Sequence, residues 1–133
     1  MTQPLLSVWI PGKPKTKGSL EVVNARRGRS VVRESVVGSK RWRALMAYAL
    51  GNAYDAPPLI GRVGVDAVFH LPVQDVTTAG AGDLDKLARN LLDAMQDAKI
   101  FSNDVQVAPL ILDKVEADDV SLGPGVMVKV WQD

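Results

Sequence analysis

Apolar positions along the chain recur with two different periods, and the change from one to the other divides it into elements. Leu5–Ile10 is a short apolar run stopped by Pro11-Gly12, which reads as a strand. Leu20–Asn24 and Ser30–Arg33 flank the basic turn Ala25–Arg29 and read as a hairpin. Between Ser39 and Leu50 the period lengthens: Trp42, Leu45, Met46, Ala49 and Leu50 fall at helical spacing, with Ser39 as the expected N-cap. A connection over 51–60 contains Pro57-Pro58. Val63–Leu71 alternates in part and reads as a central strand. Residues 72–82 are a Gly-containing loop. A second helix follows from about Leu84 to Gln96, with Leu84, Leu87, Ala88, Leu91, Ala94 and Met95 on its buried face. Val105–Glu116 and Val126–Trp131 read as two further strands, joined by the turn Asp118–Gly125. The order β-β-β-α-β-α-β-β predicts one α/β (α+β) domain over residues 1–133, a mixed sheet with two helices packed on it.

Composition narrows the function classes. A chain of 133 residues suits a single modest core. With no cysteine, disulfides, thiolate metal sites and a cysteine nucleophile are excluded. Neither a signal-peptide pattern nor a membrane-length apolar run is present, so a cytoplasmic protein is expected. The net charge of +1 conceals a polarity. Residues 1–50 hold ten Lys/Arg and two acids, a balance of +8; residues 51–133 hold six Lys/Arg and thirteen acids, a balance of −7. A basic half of this kind fits a polyanion such as nucleic acid. Aromatic residues make up only 5%, too few for a single-strand stacking platform. Trp9, Trp42 and Trp131 are therefore expected to anchor the core.

The acidic half contains the candidate chemistry, in the stretch Asp83 to Val107. Asp83 and Asp85 stand at the start of the second helix, and Asp104 just before a strand. Carboxylates crowded into one site repel unless a cation holds them. Oxygen ligands without Cys or a nearby His favour Mg²⁺ or Mn²⁺ over zinc. An EF-hand is excluded: counting Asp83 as position 1, Ala88 and Ala94 occupy the positions that need Gly and Glu. The run Gly12–Ser19 lacks the spacing of a Walker phosphate loop. The sole histidine, His70, ends a strand and reads as structural. Plainer roles also exist for the acids: Asp83 as an N-cap, and Asp85–Arg89 and Arg89–Asp93 as surface i,i+4 pairs.

The pattern D-x-D-x-L-x-[KR]-x-x-x-D-A, followed after about ten residues by N/D-D-x-Q-V, resembles the RusA-type Holliday junction resolvases. Here it is formed by Asp83, Asp85, Leu87, Arg89, Asp93, Ala94, Asn103, Asp104, Gln106 and Val107. The segment from Ile10 to Ser19 is similar to that family's first strand and Gly-Pro-Lys loop, and the likeness covers roughly residues 5 to 131. It implies a small homodimeric, Mg²⁺-dependent endonuclease that cuts four-way DNA junctions by paired nicks, in a bacterial cytoplasm and often of phage or prophage origin. It assigns Asp83, Asp85 and Asp104 to metal binding, and Arg89 to the place of a catalytic lysine. Three residues depart from the family pattern. Lys86 replaces the common Asn, Asn103 the first Asp of a pair, and Arg89 the Lys. Arginine cannot release a proton, so Arg89 suits charge stabilisation rather than proton transfer.

From these residues a mechanism is expected in which water is the nucleophile and Arg89 faces the phosphate one turn after Asp85. Lys13, Lys15 and Lys17, Arg26, Arg27 and Arg29, and Lys86 are the expected DNA contacts. Asp93, Asn103 and Gln106 are supporting residues. A symmetric homodimer is expected, because a four-way junction needs two matched cuts. Its candidate interface strands are Val126–Trp131 and Leu5–Ile10.

Overall fold

The computed structural model describes residues 3–18, 20–24, 30–34, 37–118 and 121–133, with only the backbone described at 20–24 and 30–34. Its spine is β4 (Val63–Leu71), whose Val63, Val65, Ala67, Phe69 and Leu71 are all buried on one face. This is the period-2 pattern of a strand with one face in a core. Around it lie β1 (Leu6–Pro11), β5 (Val107–Glu116) and β6 (Gly125–Gln132), in the order β1-β6-β4-β5. β6 is antiparallel to both β1 and β4, while β5 runs parallel to β4. A parallel pair needs a crossover, and α2 (Leu84–Asp97) supplies it. β2 (Leu20–Asn24) and β3 (Ser30–Glu34) form a separate two-stranded hairpin. α1 (Ser39–Ala53) completes the expected element order.

One core lies between the sheet and the two helices. Trp42, Met46 and Leu50 of α1 and Leu87, Leu91, Ala94 and Met95 of α2 meet the inward residues of β1, β4 and β6. Leu45, expected on the apolar stripe of α1, is instead exposed. The opposite face of the sheet is partly filled by aromatics. Trp131 lies so close over Gly64 that a Cβ there would fall inside its ring. Trp9 meets His70 edge-on, with ring centroids 5.0 Å apart.

Boundaries differ from expectation for local reasons. α1 begins at Ser39 itself; the N-cap is Gly38, at φ 85°, where a residue with a Cβ is strained. Ser39 is buried, and its hydroxyl is engaged by Asn90. β5 begins at Val107 because Asp104–Gln106 forms a 3-10 turn with a capping box between Asn103 and Gln106. The β4–β5 register then slips between Val63 and Val65, and Pro109, which cannot donate to a ladder, stands within that slip on an edge strand. Of the two strands expected at a dimer interface, β6 is paired on both sides and has no free edge; β1 does lie at an edge.

Candidate active site

The first two aspartates sit where α2 begins. Asp83 is the N-cap residue, and its backbone carbonyl accepts from the amides of Lys86 and Leu87 at 3.1 and 3.0 Å. Its carboxylate makes no capping hydrogen bond, so the side chain is not spent on the structural role an N-cap aspartate usually fills. Lys86 Nζ approaches it at 3.5 Å. Asp85 is one turn from Arg89, whose guanidinium lies 3.7 Å away; both side chains are about two-thirds exposed, at 68% and 67%. These are loose surface contacts worth only about 0–1 kcal/mol each. Asp83 and Asp85 thus present open oxygen donors to solvent, next to two cations.

The loop that delivers Asp83 is tightly held. Lys114, on β5, sends its half-buried ammonium into it and donates to the carbonyls of Val76 and Gly82, both at 2.7 Å. Gly82 directly precedes Asp83. Its amide closes back on Thr78 O at 2.8 Å, and a Cβ at Gly82 would collide with the carbonyls of Asp75 and Val76. The motif did not single out Lys114. A lysine at an inward-facing strand position is the one signal that marks it, since such a group needs partners.

The basic loop after β1 docks along α2. Lys17 N–H donates to Lys86 O at 3.0 Å. Asn90, buried in α2, donates to Lys15 O at 3.1 Å and to Ser39 O and Oγ at 3.3 Å, tying loop, α1 and α2 together. Asn90 too went unnoticed, because a polar residue on a helix reads as exposed. Lys17 Nζ meets Asp93 Oδ2 at 2.7 Å, and Arg43 reaches the same oxygen at 3.7 Å. Asp93 therefore braces the loop against α2, rather than pairing with Arg89. Lys13 lies 3.6 Å from Asp75. The Arg26, Arg27 and Arg29 turn lies outside the described residues.

Asp104 is elsewhere. Its amide donates to Gln96 Oε1 at 2.7 Å, at the far end of α2. At 1.5 Å per residue, Gln96 is roughly 16 Å along the axis from Asp85 and 20 Å from Asp83. The sheet gives the same separation: Val107 pairs with Val63 at the start of β4, whereas α2 begins beyond the end of β4 at Leu71. Among the described residues, no three metal-capable side chains come close enough to hold one ion. The expected convergence of Asp83, Asp85 and Asp104 is thus not found within one chain. The physical reason is that α2 runs the length of the sheet between them. The turn bearing Asp104 is nevertheless built firmly. Gln106 Oε1 accepts from the amides of Ser102 and Asn103 at 3.2 Å, and its Nε2 donates to Leu59 O and Gly61 O at 2.9 and 3.0 Å. Asn103 Oδ1 accepts from Val105 N–H at 2.9 Å.

Comparison with protein-family models matches residues 11–130 to Endodeoxyribonuclease RusA. The chain belongs to the RusA family. The match spans the basic loop, both helices, all three aspartates and the strands that position them, so membership places the chain among endodeoxyribonucleases of the Holliday-junction-resolving type. No curated protein matches the chain. Among the described residues no helix is long and apolar enough to cross a membrane.

Proposed function

We propose that this RusA-family chain is a cytoplasmic, Mg²⁺- or Mn²⁺-dependent endonuclease that resolves four-way DNA junctions as a homodimer, with residues 1–133 as one catalytic domain. The observation that carries the reading is the pair of unspent carboxylates, Asp83 and Asp85, beside the basic loop docked on α2. Carboxylate oxygens, in a chain with no cysteine, fit a hard divalent ion. When bound, such an ion would polarise the scissile phosphate and favour ionisation of water. Asp83 and Asp85 hold it from this chain. Arg89, one turn along, meets the charge that develops on the phosphate oxygens and cannot take a proton. Lys86 neutralises the approaching backbone, and Lys13, Lys15 and Lys17, with Arg26, Arg27 and Arg29, contact phosphates.

Asp104 cannot complete the site from its own chain, so a second copy provides it. In a C₂ dimer each copy gives Asp104 to its partner and receives one in return. Asp93, Asn103 and Gln106 support this arrangement: the first holds the basic loop, and the other two fix the turn bearing Asp104. The helix-free face of the sheet, with exposed Ile111 and half-buried Val68 and Met127, suits the second copy better than β6, which has no free edge to pair with.

Nicking of a synthetic four-way junction in Mg²⁺ tests the reading. Asp85→Asn is expected to lose cutting while keeping junction binding, because binding rests on the cations. Cutting by Asp85→Asn at the wild-type rate would remove the site. Cleavage of flaps or forks with junctions left intact would replace the substrate. Binding without cutting by the wild-type chain would make it a branched-DNA-binding module.

A further inference from the structure

The cations of the basic half differ in how far carboxylates of the chain already engage them. Lys17 is held by Asp93, Lys13 lies near Asp75, and Arg43 makes a two-pronged contact with Asp97 at 2.6 and 2.9 Å. Among the described residues, Lys15, Lys40 and Arg41 have no carboxylate partner. These three line one surface feature. A cleft of about 380 Å³ between Lys13, Lys15 and Val37 opens at its other end on Asp75, Gly80 and Ala81, two residues short of Asp83. It adjoins two others that share Val37 and continue past Lys15 and Gly38 to Lys40 and Arg41 at the start of α1. The first turn of α1 contains no acid to neutralise them. Through the residues they share, the three clefts run from the loop that delivers Asp83 to the exposed Lys40 and Arg41 in the first turn of α1, and among the described residues the charges along them without an opposite partner are all positive.

We propose that this track takes the phosphodiester backbone of a DNA arm leading away from the cutting site, with Lys40 and Arg41 as phosphate contacts. Nothing in the sequence distinguished them from Arg43, which is adjacent and equally basic. The structure separates the two kinds: Arg43 is engaged by Asp97 and Asp93, whereas Lys40 and Arg41 have no carboxylate partner among the described residues. The occupant follows from the charge and the form of the track. An elongated, open, cationic channel matches a repeating anion rather than a small ligand. The proposal rests on the junction-binding reading above and extends it to a second part of the substrate.

The test is the salt dependence of four-way junction binding, measured in the Asp85→Asn background so that DNA stays intact. Removing one phosphate-neutralising cation lowers the slope of log K against log salt by roughly 0.9. Lys40→Ala/Arg41→Ala is expected to lower the slope by about 1.8 with an unchanged melting temperature. Arg43→Ala is expected to leave the slope unchanged and lower the melting temperature. A reversed variant, Lys40→Glu/Arg41→Glu, should weaken binding further. An unaltered slope and affinity in both double variants, with the parent protein binding normally, would overturn the track alone. Failure of the parent protein to bind any branched DNA would overturn the junction reading and the track with it.

Discussion

Replacing Lys114 with methionine removes an ammonium that holds the loop ahead of Asp83. Its two donors bond Val76 O and Gly82 O at 2.7 Å from a half-buried position. Hydrogen bonds to charged groups contribute about 1.5–3 kcal/mol each. The loss is smaller than their sum, because the loop can open and let water reach both carbonyls. A destabilisation of about 2 kcal/mol is expected, equivalent to roughly 6–10 °C in melting temperature for a chain of this size. The larger effect should fall on catalysis. Gly82 is the residue before Asp83, and a displacement of about 1 Å in a positioned group can cost 100-fold in rate. Thermal unfolding followed by single-turnover nicking, at least 15 °C below the variant's midpoint, separates the two effects. Junction affinity in the Asp85→Asn background should stay within about threefold, since the basic loop and α1 are untouched. Nicking within about threefold of the parent, with the expected fall in melting temperature, would show that Lys114 only stabilises the fold.

Two further predictions concern the scaffold. Arg43 holds the Asp97 carboxyl below its usual range, chiefly by hydrogen bonding, with charge attraction adding to it and burial opposing. Because the folded-state pKa lies below the unfolded one, the stabilisation is present above the usual value of 3.8 and is lost as pH falls through the lowered value. Arg43→Ala should thus lower the melting temperature at pH 7 by an amount matching about 1 kcal/mol, and the difference from the parent should shrink below pH 4; a difference independent of pH would refute the pairing. Gly64→Ala puts a methyl group where the Trp131 ring lies, and a cost of about 1–3 kcal/mol is expected in denaturant unfolding, with Trp131 displaced; an unchanged midpoint would mean that the ring yields freely.

Element types and their order were legible because periodicity is a local property. β4 alternates and α2 carries its apolar stripe, and both occur where the pattern puts them. Boundaries were less legible wherever a side chain had a tertiary partner. Ser39 looks like an N-cap in sequence, yet its hydroxyl is engaged by Asn90, 51 residues away. The family motif brought Asp83, Asp85 and Asp104 into one hypothesis, but spacing along a chain contains no information about which end of a helix faces which end of a sheet. The bond from Asp104 N–H to Gln96 supplies it. Lys114 and Asn90 were missed for the same reason: their partners lie 32 or more residues away, most of them in loops without periodicity.

The central claim is a nuclease site shared between two copies, and mixing two inactive proteins tests it most directly. Asp85→Asn and Asp104→Asn are each expected to be inactive alone on a four-way junction in Mg²⁺. Mixed and allowed to exchange subunits, they form heterodimers in which one composite site carries both substitutions and the other carries neither. With random exchange, half the dimers are mixed and half of their sites are intact, so about a quarter of the parent's nicking should return, as single rather than paired cuts. If all three aspartates act within one chain, each site of every dimer holds one lesion, and the mixture should stay as inactive as its components.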